Sequence, residues 1–318
     1  MIISDGFEAS APAKIILFGE HAVVYGQPAL AAPVSALRAR ATTCAAEPGT
    51  GVVLNIADIG QSLTIRDGKT VPDHPLARAC IRCLEAVNAW PADFLVTMRS
   101  DIPIASGLGS GAALTAALMR SLARAAEREL DDGALNALVY EVEREFHGTP
   151  SGIDNTVVVY ERAISFVRGT SPALLTVGRS FDLIVADTGV RASTKESVGD
   201  VQTLVQSIPE LAMPIIEEIG ELSRNAMNAI RCGQTEALGP LMNQNHDLLK
   251  ELTVSSPELE TLVYAARGAG AIGAKLSGGG RGGHMIALGT PGSETVIEQA
   301  LTDAGARRVF RTRIEAHA

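Results

Sequence analysis

The chain has 318 residues, 46% hydrophobic but only 4% aromatic, so it can bury a large aliphatic core of Ala, Val, Leu and Ile, with room for two domains. A formal net charge of −9 argues against nucleic acid or an anionic membrane as the main partner. Any anionic ligand must be held by local lysines, backbone dipoles or a metal, against the field of the whole molecule.

Lys14–Phe18 reads as a buried strand led by a lysine and ended by Gly19, with Glu20 and His21 immediately after it. Val34 to about Ala46 and Val52 to Ile65 predict further strands joined by the turn Glu47–Gly51, so the first quarter is β-rich. His74–Asn88 predicts a helix and Phe94–Ser100 a strand. That strand runs into the glycine-rich stretch Asp101-Ile-Pro-Ile-Ala-Ser-Gly-Leu-Gly-Ser-Gly-Ala-Ala-Leu114. A helix follows, from near Ser110 to about Leu130. Leu114, Leu118 and Leu122 form its buried stripe, and Arg120, Arg124 and Arg128 form a second stripe that reads as a solvated face. Ala134–Phe146 predicts the next helix. Glu143 and Glu145 flank its apolar stripe on opposite sides, and periodicity alone leaves open which one faces a site. Ser151-x-x-Asp154 fits a capping box, so Asp154 reads as a helix cap as readily as a functional carboxylate.

Thr156–Tyr160, Ala163–Val167 and Phe181–Ala186 predict strands; Val198 to about Cys232, Glu236–Leu252 and Pro257–Ala269 predict helices. A second glycine cluster, Lys275-Leu-Ser-Gly-Gly-Gly-Arg-Gly-Gly-His284, precedes a strand at Met285–Leu288, a helix at Ser293–Ala304 and a closing strand at Arg308–Ala316. The second half thus runs β, helices, β, β, α, β. The fold class is α+β: a β-rich N-terminal domain (1–178) and a C-terminal domain (179–318) built as a helix-covered antiparallel sheet of split βαβ, ferredoxin-like type.

Cys80-x-x-Cys83 lies in a helical pattern with no second pair or nearby His, so both read as packed helix cysteines. Residues 1–10 lack the basic and apolar regions of a signal peptide, and no apolar run reaches membrane-spanning length, so a reduced, cytoplasmic protein is expected.

The loop before Ser110 has the parts an anionic phosphate needs: small residues that let backbone approach closely, and a helix N-terminus with unpaired N–H groups and positive potential. Other motifs fail. Gly278-x-Gly280-x-x-Gly283 precedes a strand instead of opening a helix, which removes the dinucleotide-binding reading. The lysine after Gly268–Gly273 is one residue late for a Walker loop, and neither Gly-x-Ser-x-Gly nor His-Glu-x-x-His occurs. What remains is a lysine, a glycine loop at a helix start, candidate carboxylates and a second glycine cluster, which are the parts of a phosphoryl-transfer site.

Three motifs across nearly the whole chain, Pro12–Ala29, Pro103–Ala113 and Lys275–Gly283, resemble those of the GHMP-superfamily small-molecule kinases. Gly19-Glu-His-Ala-Val-Val-Tyr-Gly26 and His147-Gly-Thr-Pro-Ser-Gly-Ile-Asp-Asn155 resemble signatures of the mevalonate kinases within them. The resemblance implies a two-domain GHMP kinase fold, ATP as co-substrate, Mg²⁺, and mevalonate as acceptor at its 5-hydroxyl. It implies Asp154 as the base, with Lys14 contacting that aspartate and the γ-phosphate. It implies Glu143 as the Mg²⁺-binding carboxylate, Glu20, His21 and Thr194 near substrate, and Ala105, Ser106, Gly107, Leu108, Gly109, Ser110 and Gly111 as the ATP-phosphate loop. Two positions depart from the family pattern. Gly111 stands where a metal-binding serine is usual, leaving Ser110, water or Glu143 with phosphate oxygens to hold the metal. Arg281 interrupts the third motif, as a further phosphate clamp or as a surface residue. The competing readings are a related acceptor such as phosphomevalonate, and a non-catalytic ligand-binding relative. The sheet edges and helices of the implied fold are compatible with a homodimer.

Overall fold

In a computed structural model, which describes residues 6–66, 73–103, 106–147 and 150–317, the chain divides into two compact units. The first takes in residues 6–13, 37–103 and 108–161. Strands β1 (Phe7–Phe18) and β2 (Ala29–Ala45) pair with each other; β1 runs from the first unit into the second, and β2 returns from the second to the first. Strand β3 (Val52–Ile56) and its hairpin partner β4 (Gln61–Ile65) follow. Helix α1 (Pro75–Ala86) then leads to β5 (Phe94–Ser100), which lies parallel to β3 and antiparallel to β2. Val52, Leu54 and Ile56 alternate inward, as a half-buried strand requires.

Three more helices complete this unit: α2 (Ser110–Ala125), α3 (Asp132–His147) and α4 (Ile153–Tyr160). Helix α2 stops five residues short of the expected end. The predicted strand at Thr156–Tyr160 is instead α4. Its β-branched run Val157-Val158-Val159 favours a strand locally, but packing against α2 and α3, with all three valines buried, overrides that preference. Cys80 and Cys83 are buried on α1, and the Cys83 thiol donates to the Met119 carbonyl at 3.4 Å. Burial pushes Cys83 up to about 12 and Cys80 up as well, so both stay protonated packing residues.

The second unit takes in residues 14–36, 106–107 and 162–317, so the units do not follow a single cut near residue 178. Strand β6 (Ile164–Phe166) pairs with the start of β2 and with the short β7 (Ala173–Leu174). Then come β8 (Phe181–Asp187), α5 (Thr194–Ser207), α6 (Pro209–Arg231), α7 (Leu238–Glu251), α8 (Pro257–Gly268), β9 (Gly273–Ser277), β10 (His284–Leu288), α9 (Glu294–Asp303) and β11 (Arg308–Ile314). The sheet order β11-β8-β10-β9 is antiparallel throughout, the split βαβ arrangement expected. The helix expected to begin at Val198 is divided at Ile208, because Pro209 has no N–H to continue a helix and instead opens α6. Every residue of β9 and β10 is buried, under a core that includes Ile216, Ile219, Leu249, Leu259 and Val263.

One buried polar contact fixes β9. His246 of α7 accepts the Leu276 N–H at Nδ1 (3.2 Å), so Nε2 carries the proton and donates to Glu260 Oε1 at 3.0 Å. Burial lowers the His246 pKa to about 4. Between roughly pH 6.5, the unfolded value, and that folded value, the unfolded chain binds the extra proton. The contribution of neutral His246 is therefore present above this window and is lost as pH falls through it. Urea unfolding at a series of pH values is expected to show a decline between pH 6.5 and 4 that is shallower in His246→Gln; an equal slope in both proteins would remove His246 as its source.

Candidate active site

In the first unit Gly109 leads directly into α2. Gly109 is its N-cap, in the left-handed region at φ 72°, and turns the chain so that the amides from Ser110 onward open the helix. The first of those amides, from Ser110 to Ala112, have no intrahelical acceptor, and the dipole makes this end positive. A Cβ on Gly111 would lie 3.2 Å from Glu143 Oε1, so the α3 carboxylate leans over the first turn of α2, into space that a side chain at 111 would enter. Of the two glutamates, Glu145 is engaged by Arg82, with Arg78 at 3.7 Å, while Glu143 approaches Gly111. Asp154 lies half-buried in the first turn of α4. The N-cap there is Gly152 at φ 84°, and the Ser151 hydroxyl just before it accepts the Ile153 N–H at 3.3 Å.

Of the remaining loop residues, Leu108 is buried in the first unit, Ser106 and Gly107 belong to the second, and Ala105 lies outside the described residues. Ser106 offers its backbone to His284.

In the second unit Lys14 is buried within β1 and does not lead the strand, which begins seven residues earlier at Phe7. At the end of β1 the chain turns sharply through Gly19 into Glu20 and His21, both buried, with His21 at φ 60°. The Glu20 carboxylate is bonded by Lys275 Nζ, which also donates to the Leu276 carbonyl at 2.7 Å and sits 5.8 Å from the Phe18 ring centroid. Burial raises Glu20 and lowers Lys275, each opposed by the charge of the other. His21 Nε2 donates to the Gly279 carbonyl at 3.1 Å, and burial lowers the His21 pKa to about 4. The ring is therefore neutral near pH 7, and its buried Nδ1, which has no protein partner, presents a lone pair.

The third motif packs against both segments. Thr194, the first residue of α5, stands where a Cβ on Gly279 would come within 2.9 Å of its Oγ1. Gly280 at φ 75° passes so near the Val254 carbonyl that any side chain would collide with it. Arg281 is held by Asp200 of α5, with Nε 3.4 Å from the Thr253 carbonyl, so its guanidinium is a loop brace. Sequence reasoning missed Lys275, treating it as the edge of a glycine cluster. The available signal was a lysine inside the apolar run Gly273-Ala-Lys-Leu276, since a fully buried charge requires a buried partner.

The model of the GHMP kinases N terminal domain matches residues 75–162, and that of the GHMP kinases C terminal matches residues 225–307. A mevalonate kinase of Pyrococcus abyssi is 36% identical over 313 residues, covering 93% of this chain and 92% of that protein. The Methanococcus jannaschii mevalonate kinase structure superposes with a TM-score of 0.85 at 28% identity, covering 98% of this chain and 99% of the other. The L. major mevalonate kinase, solved with R-mevalonate, gives 0.83 at 28% identity, over 98% and 96%.

Replacing Lys275 by Met leaves the Glu20 charge buried without its cation, and a loss of about 3–5 kcal/mol of unfolding free energy is expected. The double variant Glu20→Leu/Lys275→Met should recover most of it. A double variant no more stable than Lys275→Met would show that the pair is not the source of the loss.

Proposed function

The chain belongs to the GHMP kinases, and from that membership we propose that it transfers the γ-phosphoryl group of ATP to the 5-hydroxyl of (R)-mevalonate. The observation that carries the kinase chemistry is the Glu143 carboxylate seated over the first turn of α2, at the mouth of the glycine loop. The choice of acceptor rests on likeness to mevalonate kinases along 93% of the chain.

Asp154 takes the proton of the 5-hydroxyl as its oxygen attacks the γ-phosphorus; the new O–P bond forms as the bond to the β-phosphate oxygen breaks, and ADP leaves. Lys14 supplies a cation for the charge on the transferring group. The glycine loop and the N-terminus of α2 hold phosphate by backbone N–H groups and dipole. The residues present fit Mg²⁺: Glu143 offers a carboxylate with room beside Gly111, Ser110 stands next to it, and Mg²⁺ commonly uses one or two carboxylates with substrate phosphates and water. When bound, the ion neutralises charge on the β- and γ-phosphate oxygens.

His21 and Thr194 face the acceptor. The neutral His21 ring, its Nε2 proton committed to Gly279, presents Nδ1 as an acceptor suited to a substrate hydroxyl. Glu20, enclosed with Lys275, supports the turn that carries His21. No helix among the described residues is long and apolar enough to cross a membrane, and the four free cysteines suit a reducing cytoplasm.

Purified protein with ATP, Mg²⁺ and mevalonate is expected to release ADP; turnover of phosphomevalonate instead, with none of mevalonate, would overturn the acceptor assignment. Asp154→Asn should lower kcat by roughly 10²–10⁴-fold while ATP still binds. Gly111→Ser is expected to need no more Mg²⁺ for half-maximal rate than the parent, because the carboxylate tip it meets can shift by a few tenths of an ångström. A large rise in that requirement would show a loop built around glycine.

A further inference from the structure

Arg120 departs from the solvated stripe predicted for it. Three turns into α2 its side chain is only 17% exposed and reaches three other elements. It donates to the Ser10 carbonyl of β1 at 3.2 Å, to Asp132 at the start of α3 at 3.1 Å, to Glu161 Oε1 at 3.3 Å, and to the Val159 carbonyl of α4. Glu161 is the C-cap of α4 and lies in the left-handed region at φ 51°, where glycine is the usual residue and a side chain costs conformational energy. What the chain gains there is the carboxylate. Arg38 of β2 grips it with both terminal nitrogens, at 3.0 and 2.8 Å, and its Nε donates to Ser10 Oγ at 2.9 Å.

The three helices tied by this network each carry one functional group of the first unit. The N-terminus of α2 carries the phosphate loop, α3 carries Glu143, and α4, only eight residues long, carries Asp154 in its first turn. A helix that short has little register of its own. Its last carbonyls are orphan acceptors at the negative end of the dipole, and a cation fixed on α2 satisfies one of them. We propose that Glu161, with Arg120 and Arg38, forms a clasp that sets the position of α4 against α2 and α3, making these three positioning residues for phosphoryl transfer that act through Asp154. The proposal rests on the reading of Asp154 as the base. Small displacements of a reacting group are costly in rate, and the clasp acts on placement without touching substrate.

The decisive variant is Glu161→Gly, because glycine suits the left-handed backbone and removes only the carboxylate. The protein should still fold, because the relief of backbone strain at 161 offsets part of the cost of leaving Arg38 and Arg120 without that carboxylate. Its kcat should fall roughly 10- to 100-fold, while KM for ATP and for mevalonate stays within about twofold. In an Asp154→Asn background the same change should lower kcat far less, since the group through which it acts is gone. Unchanged kcat in folded Glu161→Gly, or an equal loss in both backgrounds, overturns the clasp. If Glu161→Gly does not fold, Glu161→Gln is read by the same two outcomes. Failure of the underlying reading looks different: Asp154→Asn alone would then keep near-normal turnover.

Discussion

The second unit depends on one enclosed ion pair. Lys275 and Glu20 lie 255 residues apart in the chain, and their side chains are 0% and 1% exposed. Two charges so deep are tolerated only when each compensates the other and their remaining polar atoms find partners. That requirement fixes where the first motif meets the third. The turn after β1 must bring Glu20 to β9, which also delivers His21 to the Gly279 carbonyl and leaves its second ring nitrogen buried without a hydrogen-bond partner among the described residues. His246 holds the neighbouring Leu276 amide, so the strand that presents the lysine is itself anchored from α7. A structural pair thus sets the placement of a buried histidine.

In the first unit the constraint is electrostatic. The molecule is acidic overall, yet its ligand carries phosphates, so attraction must be local. The opening turn of α2 offers unpaired amides and the positive end of a helix dipole. Glu143 lies over that same turn, where its charge would repel a bare triphosphate. The loss of a hydroxyl at residue 111 and the approach of the Glu143 carboxylate to that same spot are two sides of one steric fact.

Much of this was legible from residue patterns. The strand at Phe94–Ser100 and the β, helices, β, β, α, β order of the second half follow from periodicity and turn chemistry alone. What misled was local preference in a tertiary context. Three consecutive valines spell a strand, and only packing against α2 and α3 makes Val157–Val159 helical. Arginines spaced by four spell a wet face, and nothing in that spacing announces that Glu161, forty-one residues on, would draw Arg120 inward. Lys275 was hidden because glycines dominate its neighbourhood; its partner is too distant in sequence for any window to connect them.

Strands β1 and β2 each begin in one unit and end in the other. During synthesis, residues 14–36 leave the ribosome early, yet most of the unit that buries them, residues 162–317, is made last. Those first-made segments, Lys14, Glu20 and His21 among them, must wait through most of translation before their partners exist. Closing such distant pairings is slow, because the entropy of the intervening chain is lost before the contacts form. The segments that carry Lys14, Glu20 and His21 therefore reach their native contacts only when the second half of the chain has folded onto them.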